Sequence, residues 1–327
     1  MNQLPPEQTV AALINSHAAA RCLHVVAEFG VADALTDEPA SGAELARRTG
    51  LNADALSRIL RLLAAHGVFA GSSVAYTHTP ASRLLRSDNP QSLRALARMI
   101  GMPAVWNGIS ELAVAAKTGK PVMDWASLVA YFGKHPEEAA LFNQAMVDKS
   151  ATIIPAAMAA YDFTPYKVVA DIAGGRAHLL QGILAKVPTA TGVLFEMPHV
   201  IADAASIESP RLRLQAGDFF NDPLPVADIY VLMDVIHDWN DADAVRILTG
   251  IRKAAPKHAR LLIVESLVAE EPGPHIGKTL DIIMLAVTGG KERSPSEYKA
   301  LLGPVGFKFE RVIPTASTYT LLEASVV

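Results

Sequence analysis

The segment of the sequence best suited to proton transfer holds a histidine with acidic residues beside it. His237 lies in the run MDVIHDWNDADA and is followed directly by Asp238. Glu265 and Glu292 come later in the chain, and we expect their carboxylates to converge on the histidine. A carboxylate that bonds one ring nitrogen fixes the tautomer and leaves the other nitrogen to take a proton. These residues predict a general base, and a histidine that serves only as a structural residue is the alternative.

Three earlier sites have the residue types of a nucleoside-binding site. The run DIAGGRAH starts at Asp171 and places Gly174-Gly175 between a strand and a helix, where backbone approaches a ligand closely. Glu196 follows 25 residues after Asp171 and can accept hydrogen bonds from both hydroxyls of a ribose. Asp218 offers a carboxylate to an adenine amino group and Phe219 a ring to its face, although core packing explains Phe219 equally well. The run is not GxGxxG, which argues against a dinucleotide.

The elements that position these residues alternate between strand and helix from residue 165 onward. Five short apolar runs predict strands, at Lys167–Ala173, Gly192–Phe195, Leu212–Leu214, Asp228–Met233 and Leu261–Val264. This alternation predicts an α/β fold with a parallel, doubly wound sheet, whose ligands bind beyond the carboxyl ends of the strands. The residues singled out above lie at those ends. The tail, FKFERVIP and TYTLLEAS, predicts two strands that pair antiparallel across a tight turn.

The first hundred residues predict short helices and one hairpin, the outline of a winged helix. Ser16–Phe29 has helical apolar spacing, Ser41 and Glu44 form a capping-box pattern, and Asn52 caps a third helix. The runs VFAG and VAYTHT flank a turn and form the wing. Such an outline occurs in DNA-binding proteins, so a non-catalytic DNA-binding sensor is one alternative.

The charge of this region favours dimerisation over DNA binding. Residues 1–100 contain nine Arg and no Lys against eight Asp plus Glu, and the third helix carries only Arg58 and Arg61 among leucines and alanines. A DNA reader needs phosphate contacts and a polar recognition face. Residues 101–160 predict helices and no strand, and their aromatic and methionine side chains suit the wall of an apolar pocket.

Composition excludes several other classes. The 327 residues are 50% hydrophobic and 19% charged, with a net charge of -4, which excludes global disorder and a polyanion binder. The single cysteine, Cys22, excludes a disulfide framework, and none of the ten histidines lies in HxH or HExxH spacing, so we expect no metal site. We find neither a secretory signal nor an apolar run near membrane-spanning length, and predict a cytoplasmic protein without a membrane partner.

Taken together, these motifs resemble the S-adenosylmethionine-dependent O-methyltransferases of the plant caffeate and bacterial antibiotic-tailoring type. The resemblance covers nearly the whole chain and rests on FNQAMVDKS, VVADIAGGRAHLL, GVLFEMPHVI, AGDFF, VIHDWNDADAVRIL, LLIVESLV and DIIMLAVTGGKERSPSEYKALLGPVGFKFERV. It implies a winged-helix domain (1–100) that forms a homodimer and a helical bridge (101–160) that walls the substrate pocket. A Rossmann-like methyltransferase domain (161–327), whose parallel sheet ends in an antiparallel hairpin, would follow.

The resemblance also implies roles for single residues. His237 would be the base that deprotonates the acceptor hydroxyl, with Glu265 and Glu292 beside it. S-adenosylmethionine would be bound by Ser150, Asp171, Gly174, Gly175, Glu196, Asp218, Phe219 and Met233. The small-molecule acceptor, phenolic or polyketide-like, would lie against Trp106, Phe142, Met146 and Asp238.

Three residues depart from the family pattern. Ala173 and Ala177 replace the first and last glycines of the loop Asp-Val-Gly-Gly-Gly-x-Gly, and Met233 stands where the family commonly has a lysine. An alanine in left-handed backbone costs about 1–2 kcal/mol. The alternative is therefore a methyltransferase fold used for non-methylating chemistry such as hydroxylation, decarboxylation or a pericyclic step.

Overall fold

The computed structural model describes residues 5–72 and 74–327, which form two compact units. The first contains the described residues up to Asn107 together with Ala130–Ala151, and the second contains Gly108–Val129 and Thr152–Val327. The division of the chain at residues 100 and 160 stays a prediction.

Ten helices and one hairpin are described in the chain before the large sheet. The helices are α1 (Pro6–Glu28), α2 (Val31–Ala34), α3 (Gly42–Thr49), α4 (Ala53–Ala65), α5 (Pro80–Arg83), α6 (Arg94–Gly101), α7 (Pro103–Ser110), α8 (Leu112–Thr118), α9 (Trp125–Phe132) and α10 (Pro136–Ala160). The predicted wing is confirmed, since β1 (Phe69–Ser72) pairs antiparallel with β2 (Ala75–His78). Both predicted N-caps form, although only half of the capping box does: Ser41 Oγ accepts from the amide of Glu44 at 3.1 Å, while the Glu44 carboxylate accepts from Arg47 and Arg48. Asn52 Oδ1 accepts from the amide of Ala55 at 3.0 Å.

The first helix is longer than the sequence predicts. It begins at Pro6, because a proline at the first helical position needs no backbone partner, and it runs through Ser16 to Glu28. Among the described residues it alone has the length and hydropathy of a membrane-spanning segment. The expectation that no run comes near that length is therefore wrong. The large apolar side chains that it exposes are Val10, Leu13 and Ile14.

The second unit contains a seven-stranded sheet in the order β5-β4-β3-β6-β7-β9-β8. Its strands are β3 (Val168–Ile172), β4 (Thr191–Glu196), β5 (Leu212–Ala216), β6 (Ile229–Met233), β7 (Arg260–Glu265), β8 (Phe307–Pro314) and β9 (Thr320–Val326). The first five are parallel, and β9 lies between β7 and β8, antiparallel to both. The helices that connect them are α11 (His178–Lys186), α12 (Pro198–Asp203), α13 (Asp241–Ala254), α14 (Ile276–Val287) and α15 (Pro295–Leu302).

Both faces of this sheet are buried, as expected for a parallel sheet covered by helices. Ala170 and Ile172 of β3 join one apolar cluster with Leu248 of α13. Val169, directly before Ala170, faces the other way into a cluster with Ile183 of α11. The α/β class is confirmed, and the two clusters hold the strand ends at one edge, where the predicted residues lie.

Candidate active site

The loop between β3 and α11 adopts left-handed backbone at three positions. The φ angles are 56° at Ala173, 58° at Gly175 and 56° at Ala177. The loop is fixed nonetheless, because the amide of Ala173 donates to the carbonyl of Phe195 at 2.8 Å. The two alanines thus occupy backbone that glycine adopts at no steric cost.

Asp171 lies buried beneath this loop. A Cβ on Gly174 would lie 2.3 Å from the Asp171 carboxyl group, so only glycine fits there. Neither carboxyl oxygen makes a hydrogen bond of normal geometry with the described residues. Burial, reinforced by the charge of Glu196, raises the pKa of Asp171 to about 7.

Glu196, at the end of β4, contacts the glycine loop directly. Its Oε2 accepts from the amide of Gly175 at 3.0 Å, and its Oε1 accepts from that of Met197 at 2.8 Å. The structure therefore brings the acid and the glycine pair together as predicted, with the carboxylate partly exposed.

Asp218 and Phe219 follow β5 in a tight turn. Asp218 accepts from the amide of Phe220 at 2.9 Å and from the side chain of Asn221 at 2.6 Å. Phe219 packs against the apolar cluster, with its ring 5.8 Å from that of Trp239. Both side chains are partly exposed, so the core-packing role of Phe219 and a ligand contact are compatible.

His237 lies in one turn of 3-10 helix, Ile236–Asp238, just after β6. Its Nδ1 is 3.0 Å from Oε1 of Glu292, and both side chains are buried. Its Nε2 is 3.8 Å from a carboxylate oxygen of Asp238 and 3.8 Å from one of Asp234. With the Nδ1 proton donated to Glu292, Nε2 is the nitrogen that accepts a further proton.

Glu265 contacts His237 through the backbone of this turn rather than through the imidazole ring. Its Oε1 accepts from the amides of His237 at 3.1 Å and Val235 at 3.3 Å. Its other oxygen accepts from the hydroxyl of Tyr298. Because β7 is the direct neighbour of β6, a side chain at its end meets the backbone that leaves β6.

These carboxylates raise the proton affinity of the histidine. Burial lowers the pKa of His237, but Asp238, the hydrogen bond to Glu292, Glu265 and Asp234 outweigh it and raise the pKa to about 10. Burial raises the pKa of Glu265 to about 7, with the histidine opposing that shift.

Two residues that the sequence did not single out hold the turn against the Glu292 segment. Arg293 is 1% exposed and donates to the carbonyls of Ile236 at 3.1 Å and Trp239 at 2.7 Å. Gly290 lies so near that an added Cβ would be 2.1 Å from the His237 carbonyl oxygen. The available signal was the run GGKER, in which Gly290 lies two residues before Glu292 and Arg293 directly after it.

The remaining predicted residues fall in two places. Met233 ends β6 in the second unit and packs, partly buried, in an apolar cluster. The others belong to the first unit: Trp106 lies in α7, and Phe142, Met146 and Ser150 lie on α10 at intervals of four residues, on one helix face. No group of three or more His, Cys, Asp or Glu side chains within the described ranges is arranged to hold a metal ion.

Comparison with known proteins identifies the family. Residues 113–308 match the O-methyltransferase domain, and residues 11–88 match the O-methyltransferase dimerisation domain. The chain is 37% identical to the phenazine O-methyltransferase PhzM of Lysobacter antibioticus, over 98% of this chain and 96% of that protein. It is 34% identical to the mitomycin biosynthesis 6-O-methyltransferase of Streptomyces lavendulae, over 94% of this chain and 91% of that protein.

A solved structure agrees over the whole length. CalO1, a methyltransferase in calicheamicin biosynthesis in its S-adenosylhomocysteine-bound form, superposes with a TM-score of 0.89 at 34% identity, covering 99% of this chain and 100% of that one. The chain therefore belongs to the S-adenosylmethionine-dependent O-methyltransferase family.

Proposed function

We propose that this enzyme methylates a phenolic or polyketide-like hydroxyl of a small molecule, with His237 as the general base. The observation that carries the proposal is the buried His237–Glu292 pair, which directs Nε2 to accept the acceptor's proton. The family assignment favours this function over non-methylating chemistry and over a DNA-binding sensor.

The carboxyl edge of the sheet fits S-adenosylmethionine. Glu196, beside the glycine loop, suits the two hydroxyl donors of the ribose, and Asp218 with Phe219 suits the adenine. Gly174-Gly175 and Ser150 would lie near the methionine end. Because a Cβ on Gly174 would collide with the Asp171 carboxyl group, this position carries no side chain. A ligand at this edge of the sheet could therefore approach the loop backbone closely. When bound, the cofactor supplies an electrophilic methyl group.

A phenolic acceptor fits the base best, because a phenol has a pKa near 10 and gives up its proton far more readily than an aliphatic alcohol. The carboxylates around His237 raise the pKa of its imidazole, which makes the neutral ring a stronger acceptor for that proton. Trp106, Phe142 and Met146 would supply apolar contacts to the acceptor, and Asp238 a polar one.

The dimerisation domain indicates a homodimer, and we propose that the exposed apolar residues of α1 contribute to its interface. A homodimer that buries this face needs neither a membrane nor nucleic acid as a partner. A cytoplasmic location fits such an enzyme.

Calorimetry with S-adenosylmethionine and S-adenosylhomocysteine, followed by a methylation assay over phenols and aliphatic alcohols, tests the proposal. We expect micromolar binding of both and turnover of phenols. His237→Ala should lose turnover by a factor of about 10²–10⁴ and keep its affinity for S-adenosylhomocysteine. Absence of cofactor binding would redirect the assignment to non-methylating chemistry, and full turnover by His237→Ala would remove the base role.

A further inference from the structure

Asp234, three residues before the base, has an unusual backbone conformation. Its φ angle is 58°, and its amide is held by the carbonyl of Val264 at 3.2 Å. Left-handed backbone is disfavoured for residues other than glycine, although Asp and Asn tolerate it best. An outlier of this kind next to an active site is a reason to ask what its side chain does.

The Asp234 carboxylate is held by a buried tyrosine. The hydroxyl of Tyr319, from the loop before β9, donates to Oδ1 of Asp234 at 2.6 Å, and Tyr319 is 4% exposed. Burial raises the pKa of Tyr319 well above its ordinary value, and Asp234 adds to this effect. The phenol therefore keeps its proton and remains a donor to the carboxylate.

The same oxygen faces the base. Oδ1 of Asp234 lies 3.8 Å from Nε2 of His237, which is beyond hydrogen-bonding distance but close enough for strong Coulomb attraction. The carboxylate thus stabilises a positive ring without taking a hydrogen bond from the nitrogen that must receive the acceptor's proton.

The other charged groups of the second unit around the ring act from different directions. Glu292 meets Nδ1, and Glu265 meets the backbone amide of His237. Asp238 lies 3.8 Å from Nε2, and the Arg293 guanidinium bonds the carbonyls on either side of the turn. Asp234 lies at the same distance on the Nε2 side and combines it with left-handed backbone and a buried hydroxyl donor.

We propose that Asp234 and Tyr319 are positioning residues for His237. The inference rests on the proposed base role. When the acceptor O–H bond breaks, its electron pair stays on the oxygen and its proton bonds Nε2, while the Nδ1 proton stays on Glu292. The Asp234 carboxylate stabilises the resulting imidazolium, and Tyr319 holds that carboxylate back from Nε2.

Substitutions at the two residues should shift the pKa of His237 in opposite directions. Asp234→Asn keeps the shape and the tolerance for left-handed backbone but removes the charge, so the pKa of His237 should fall by about one unit. Tyr319→Phe removes the hydrogen bond that holds the carboxylate back from Nε2, so the pKa should rise. In the Asp234→Asn background, Tyr319→Phe should have a smaller effect, because Tyr319 acts on His237 through Asp234.

The measurement is NMR titration of carbon-13-labelled histidine in the full-length protein, with the His237 signal assigned from His237→Gln. Tyr161→Phe is the matched control, because it removes another buried hydroxyl that donates to a carboxylate, that of Glu323 at 2.7 Å. It should leave the pKa of His237 unchanged. If Asp234→Asn destabilises the fold, Asp234→Gly keeps the backbone conformation and should lower the pKa as well.

The pH profile of kcat/KM gives the second readout, and its acidic limb should move by the same amounts. Equal pKa values in wild type, Asp234→Asn and Tyr319→Phe would overturn the inference, as would additive effects in the double variant. Failure of methyl transfer with every acceptor would overturn the proposed function instead, and the NMR comparison would still decide the role of the pair.

Discussion

Oε1 of Glu292 lies 3.0 Å from Nδ1 of His237, across 55 residues of sequence, and both side chains are buried. The backbone of Glu292 is itself held, because its amide donates to Oδ1 of Asp281 at 3.1 Å. The imidazole is therefore oriented by Glu292, whose own position is held by a further hydrogen bond. A general base requires such an arrangement.

Glu292→Gln should lower kcat about 10- to 100-fold. The amide oxygen still accepts from Nδ1, but its neutral group no longer stabilises the imidazolium that forms during proton transfer. Glu297→Gln is the control, because glutamine serves equally well at this position of the α15 capping box and the side chain does not contact His237. Steady-state kinetics and calorimetry with S-adenosylhomocysteine check this. Equal kcat in both variants would contradict it.

Ala173→Gly should stabilise the protein by roughly 1 kcal/mol, because it relieves left-handed backbone at a partly exposed residue. The melting temperature should rise by about 1–2 °C. If the methyl group also crowds the cofactor, S-adenosylhomocysteine should bind more tightly. Ala204→Gly is the control, since Ala204 has a φ of -90° and should lose stability. A lower melting temperature for Ala173→Gly would show that the left-handed backbone at Ala173 does not destabilise the protein.

Arg293→Lys should cost about 3–5 kcal/mol of folding free energy. The buried guanidinium bonds three carbonyl groups and the carboxylate of Asp241, and an ammonium group cannot satisfy all of them. Arg246→Lys, at an exposed pair with Asp243, should cost under about 1 kcal/mol. Urea denaturation of both variants measures the contrast, and equal midpoints would show that the burial of Arg293 matters little.

Asp171→Asn should stabilise the protein increasingly as the pH rises from about 4 to about 7. Burial raises the pKa of Asp171 to about 7, so the folded wild type holds its proton more tightly than the unfolded chain does. The wild type therefore loses stability over that range and loses no more above it, whereas asparagine does not titrate. Melting curves between pH 4 and pH 8 measure the difference.

Asp162→Asn serves as the control for that series. Asp162 is exposed, and hydrogen bonds from Thr164 lower the pKa of its carboxyl group. Its replacement should give no gain that grows toward pH 7. A constant difference between Asp171→Asn and wild type across the range would mean that Asp171 titrates normally in the folded protein.

The order of helices and strands could be predicted from the sequence because short local patterns mark each of them. Apolar runs that end in glycine or an acid predicted the parallel strands to within two residues, as at β6, predicted as 228–233 and found at Ile229–Met233. Strand pairing over long separations has no such local signal. The tail predicted a hairpin correctly, but the position of β9 between β7 and β8 emerged only from the sheet.

The candidate site likewise contains residues that the sequence predicts and residues that it does not. His237 and Glu292 were predicted as partners because their residue types suggest one chemistry. Asp234 and Tyr319 were missed, because an aspartate after a strand resembles a turn residue and a tyrosine before one resembles a strand residue. Their role depends on a hydrogen bond between residues that are 85 positions apart in the sequence, and no local pattern predicts such a bond.

The place of β9 in the sheet has a consequence for synthesis. It follows the other six strands in the sequence yet lies between two of them, so the ribosome has made all its neighbours before β9 can pair. Tyr319 emerges just ahead of β9. A nascent chain that already carries the histidine and its glutamates therefore still lacks the tyrosine beside Asp234, and the surroundings of the base are completed only when the loop before β9 has been made.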